Sequence, residues 1–85
     1  MKKLLLKAMY LDQRGDWKGA HEIVQDLENE TAWWVHAYLH RKEPDIHNAA
    51  YWYLRAQKPM PKYNSAREWQ EIFEYLSDPD LEIEN

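Results

Sequence analysis

Trp33-Trp34-Val35-His36-Ala37-Tyr38-Leu39-His40-Arg41-Lys42-Glu43-Pro44-Asp45-Ile46-His47-Asn48-Ala49-Ala50-Tyr51-Trp52-Tyr53 is the stretch on which the fold turns. Its apolar residues recur at helical intervals, and no strand-like alternation runs long enough to compete. Pro44 disfavours a helical conformation at Glu43 and so ends a helix expected over about Thr31 to Lys42. Asp45 can accept from the free N–H groups of the next turn, which starts a second helix reaching about Gln57. Asn29 to Thr31 offer the cap for the first of the two. The stretch therefore predicts a helical hairpin.

The same reading extends outward. Towards the N-terminus, Leu4, Ala8 and Leu11 form a stripe with Leu5 and Met9 beside it, which predicts a helix from about Lys2 to Gln13. Arg14-Gly15 stops that helix, since glycine accepts the left-handed conformation needed there. Asp16 caps another helix, in which Trp17, Ala20, Ile23, Val24 and Leu27 recur. On the C-terminal side, Pro59-Met60-Pro61 makes a stiff break. Ser65-Ala66-Arg67-Glu68 then has the spacing of a capping box, and Trp69, Ile72, Phe73 and Leu76 form one apolar stripe behind it. Ser77-Asp78-Pro79 ends this fifth helix.

Laid over the central stretch, the N-terminal part repeats it. Leu4 falls on Trp33, Ala8 on Ala37, Leu11 on His40, Asp16 on Asp45 and Ala20 on Ala49. Small residues let two helices approach, and large ones fill the spaces beside them. Trp33, Ala37, Ala49, Tyr53, Ala56 and Pro61 resemble the tetratricopeptide repeat, whose first helix carries an early Trp and a small residue four later. The earlier copy keeps Ala8, Gly15, Trp17 and Ala20 but has Leu4 in place of the Trp. The resemblance implies an all-α fold of two helical hairpins in a right-handed array, with a fifth, C-terminal helix capping the open end. The expected organisation is one domain over residues 1–77, with repeats at about 1–29 and 30–61, a capping helix at about 65–77, and a mobile acidic tail over 78–85. Residues 34–43 and 48–53 also resemble a group of short bacterial proteins.

Composition narrows the function classes. Eighty-five residues make one domain at most, and without cysteine neither a disulfide nor a thiolate metal site can form. The net charge of -4 is concentrated in Asp78, Asp80, Glu82 and Glu84, and the other acids balance the 11 basic residues. An acidic tail on a neutral body has no electrostatic footprint for nucleic acid. No apolar run approaches the roughly 20 residues of a membrane span, and Lys7 interrupts Leu4-Leu5-Leu6 too early for a secretory signal. A cytoplasmic protein is the expectation.

Two constellations bear on function. Tetratricopeptide arrays bind extended segments along the first helix of each repeat, so the resemblance implies an inner face carrying Leu5, Met9, Trp34, Tyr38 and Arg41, with Asp12 nearby. Trp, Tyr and Arg are the residues that dominate binding energy at interfaces. The leading expectation is a non-enzymatic module that binds a partner protein or itself, including as a homodimer, with no cofactor. The alternative is a small metal-binding protein. His36 and His40 stand at i and i+4, a spacing that puts two imidazoles on one zinc ion, with Glu43 or His47 as a third ligand and His21 more remote. The His-Glu-x-x-His protease pattern is absent because Ala37 follows His36. No nucleophile or paired acid and base stands out, so no enzyme is expected.

Overall fold

The computed structural model describes residues 1–83 and is all-helical, with no strand among the described residues. Its helices are α1 (Lys2–Gln13), α2 (Trp17–Val24), α3 (Glu30–Lys42), α4 (Ile46–Ala56) and α5 (Ser65–Leu76). Their ends follow from local chemistry. Gly15, at φ 90°, makes the turn between α1 and α2, and the Asp16 carboxylate then accepts from Gly19 N at 2.9 Å. Asn29 accepts from Ala32 N at 2.8 Å to open α3, and Asp45 performs the same service for α4 through Asn48 N.

The start of α5 differs from the capping box. The cap is Asn64, which accepts from Arg67 N at 2.9 Å, and Ser65 is already the first helical residue. Glu68 does not reach back to the cap. Its side chain is fully buried and occupied by residues from other helices.

Two hairpins, α1 with α2 and α3 with α4, pack through α2 against α3. The alanines on which the repeats align are what let the helix axes approach: Ala8, Ala20, Ala37 and Ala49 are all completely buried. The fifth helix departs from an end cap. It lies across α1 and α3, on the inner face of the hairpins, while the α4 backbone approaches α3 alone among the described helices. Ile72 and Leu76 of α5 are wholly buried there, each contributing about 1.5–3 kcal/mol. Trp69 donates its indole N–H to the Met9 carbonyl at 3.0 Å.

This placement turns α1 relative to the stripe read from the sequence. Leu5, Ala8, Met9 and Asp12 form its buried face, and Leu4 is exposed. The expected mobile tail is also partly docked. Lys2 Nζ donates to the carbonyls of Asp78 and Leu81 at 2.8 and 3.2 Å, and Leu81 and Ile83 pack on the core. Glu84 and Asn85, the rest of that expected tail, lie outside the described residues.

Candidate metal centre

The inner-face residues are not an open groove. Leu5, Met9, Trp34 and Tyr38 are at most 4% exposed, because α5 covers them. Arg41 is committed inside the molecule, donating to Glu68 Oε1 at 2.8 Å and to the Tyr63 carbonyl. Glu68 also accepts from Trp34 Nε1 at 3.0 Å and from the Tyr53 hydroxyl at 2.7 Å. Asp12, beside them, accepts from the Tyr38 hydroxyl and from Lys42 Nζ. The constellation that suggested a binding surface is thus an internal polar network anchoring α5.

The histidines are arranged differently. One turn of α3 separates His36 from His40, so both rings leave the same face, and α2 brings His21 over them. Ring centroids are 4.9 Å apart for His36 and His40, 4.8 Å for His21 and His36, and 5.1 Å for His21 and His40. One nitrogen of each ring lies within 4.8 Å of the other two. His36 Nε2 and His40 Nε2 are already 3.1 Å apart. Two imidazole nitrogens on a tetrahedral zinc, at Zn–N of about 2.0–2.1 Å, are separated by roughly 3.3 Å. The separation of the α3 pair is therefore close to what a shared ion requires.

Burial and protonation favour the same use. His36 and His40 are 4% and 7% exposed, and His21 is half-buried at the edge. Desolvation, with the neighbouring His21, His40 and Arg55, pushes the His36 pKa down to about 3. Burial, then His40, lowers that of His21, against the opposing pull of Glu43 and Glu22. Both rings are consequently neutral near pH 7, with lone pairs free for a metal. In the 3.1 Å contact one ring donates and the other accepts, yet Nδ1 of both His36 and His40 is buried without a partner.

Aromatic rings fix the cluster from two sides. Trp17 stacks on His21 at 4.9 Å, held by its indole N–H bond to the Leu39 carbonyl at 2.7 Å. Trp52 stacks on His36 at 4.0 Å. The run Tyr51-Trp52-Tyr53 therefore divides three ways: Tyr53 into the core, Trp52 onto the histidines, Tyr51 to the surface.

The sequence located two of the three candidate ligands. Glu43, expected as the third, stands on the other edge of the ring, 3.6 Å from His40 Nδ1, with Asp45 at 3.9 Å. At these distances neither carboxylate hydrogen-bonds Nδ1, and both act on the ring only as nearby negative charges. Glu43, Asp45 and His40 also lie close enough to hold an ion among themselves, but both carboxylates are nearly half exposed, and they face only one imidazole. His47 is exposed at the start of α4 and joins neither group. His21 is the third nitrogen donor. Its signal was its place four residues after Trp17, on the face of α2 that meets α3.

Among the described residues, no helix is long and apolar enough to cross a membrane. Comparison with models of known families finds no match, and none is found among curated proteins or solved structures.

Proposed function

We propose that this protein binds one divalent transition-metal ion through His21, His36 and His40. The observation that carries this reading is the convergence of three imidazoles from two helices, with a nitrogen of each within 4.8 Å of the others. Neutral imidazole donors suit zinc, and also copper and nickel. Calorimetric titration of chelator-treated protein with zinc tests it, and the expected stoichiometry is one. His21→Ala and His40→Ala weaken binding by more than about 100-fold, while Glu43→Gln, which removes only a nearby negative charge, costs far less. His21 is half-buried, so circular dichroism of His21→Ala should be unchanged. The absence of both heat and any change in melting temperature on adding zinc would reject the proposal.

A second reading, self-association of a non-enzymatic helical module, is supported on a different face from the one expected. The outer side of α4 has Ile46, Tyr51 and Leu54 at 50%, 52% and 78% exposure, and no helix covers it. In a helical array the next repeat stacks on such a face, and two repeats alone bury little. A second copy of this chain would supply the cover. Sedimentation then gives a mass that rises with concentration for wild type and stays monomeric for Leu54→Asp; a monomeric wild type at all concentrations sinks this reading.

A further inference from the structure

The centre has three protein donors, and a tetrahedral ion has four positions. The source of the fourth can be sought residue by residue. Cysteine is absent from the chain. Glu43 and Asp45 approach His40 from its Nδ1 edge, opposite the Nε2 atom that faces His36, so the ring itself stands between them and an ion held at Nε2. Among the described residues, no other His, Asp or Glu has a ligand atom close enough to all three imidazoles to join them.

Access to the fourth position is narrow. His36 and His40 are more than nine-tenths buried, and the half-buried Trp17, His21 and Trp52 surround them. A cleft of about 320 Å³ lies elsewhere, between α1, α3 and α5, lined by Asp12, Tyr38, Lys42 and Trp69. A ligand reaching the ion must therefore be only a few atoms in size. Its charge follows from the donor set. Three neutral imidazoles leave a divalent ion with its full double charge, and Glu22, Glu43 and Asp45 do not coordinate it.

Resting on the metal-binding reading above, we infer that the fourth position of the centre is held by solvent and exchanges with small anions such as hydroxide, azide or bicarbonate. This is the coordination pattern of an open, reactive ion rather than of a closed structural one. Exchange is a simple ligand replacement: the bound water leaves intact, the anion's lone pair forms the new bond, and no electron is transferred. A divalent ion held by His21, His36 and His40 would lower the pKa of a water bound to it.

The test uses the full chain loaded with one equivalent of Co²⁺ and titrated with sodium azide, followed by visible absorption. The expected result is tetrahedral cobalt bands that shift saturably, with one azide bound per cobalt. Benzoate, too large for the opening, should leave the spectrum at least about tenfold less responsive at equal concentration, a difference of about 1.4 kcal/mol. Cobalt uptake with a spectrum indifferent to azide would mean a protein side chain holds the fourth position, and would overturn this inference while leaving the metal site standing. Equal response to benzoate would overturn the size limit. Failure to take up cobalt at all would remove the metal-binding reading itself, so the two failures are separable.

Discussion

Glu68 brings a carboxylate into the core and meets two helices there, through Trp34 and Arg41 of α3 and Tyr53 of α4. Removing one partner of a buried ion pair leaves the other uncompensated, a loss of about 3–5 kcal/mol. Arg41→Met should show a loss of that size in urea unfolding. Glu68→Gln should cost a similar amount: with its amide oxygen accepting from Trp34 and Tyr53, its NH2 group faces the Arg41 guanidinium, which loses its counter-charge. Two tyrosines give the pH dependence. Burial, then hydrogen bonding to Asp12 and Glu68 respectively, raises the pKa of Tyr38 and Tyr53 well above the usual value. The unfolded chain loses those protons near pH 10 and the folded chain keeps them, so the folded state binds more protons above that pH and its stability falls as pH rises. Tyrosinate absorbance of these two should appear only as the helical dichroism is lost. Local spacing made His36 and His40 legible as a pair. It misassigned Glu68, since a Ser-x-x-Glu pattern satisfies a helix start in isolation and only the long-range partners show where that carboxylate goes.

Helix existence was written in the chain by its caps and punctuation: Asp16, Asn29, Asp45 and the proline break each stand at a boundary. What α5 packs against was not. Its stripe of Trp69, Ile72, Phe73 and Leu76 requires a buried face without naming the surface that buries it, and an end cap and a groove filler have the same stripe. In the structure α5 covers the inner face of α1 and α3. Truncation after Pro61 should therefore uncover Leu5, Met9, Trp34 and Tyr38 and abolish the cooperative melting seen by circular dichroism. Retention of the wild-type transition would mean the hairpins stand alone. The start of α5 gives a finer test. Asn64→Ala should cost about 1 kcal/mol and Ser65→Ala close to nothing, the reverse of what a serine cap requires.

At the scale of the molecule, the two hairpins meet where α2 lies on α3, and the candidate ligands straddle that seam, His21 on one side and His36 and His40 on the other. An ion at this point ties one hairpin to the other. At a free concentration of 100 times Kd it adds about 2.7 kcal/mol, and for a domain of this size each kcal/mol raises Tm by about 4–8 °C. A rise of roughly 10–20 °C on adding zinc is the expectation, and His21→Ala should abolish it while leaving the metal-free Tm nearly unchanged. The repeat made each hairpin readable, but not how one sits on the other, and this is why His21 was the candidate ligand hardest to see. The two indoles lying flat on His21 and His36 have an optical consequence. Trp17 and Trp52 are within contact of the coordination sphere, whereas Trp69 stacks on Phe73. An open-shell ion such as Cu²⁺ quenches the emission of the first two on arrival, and Zn²⁺, with its filled d shell, does not. On the metal-binding reading these two indoles would report which metal is bound, and Trp17→Phe with Trp52→Phe should silence that signal.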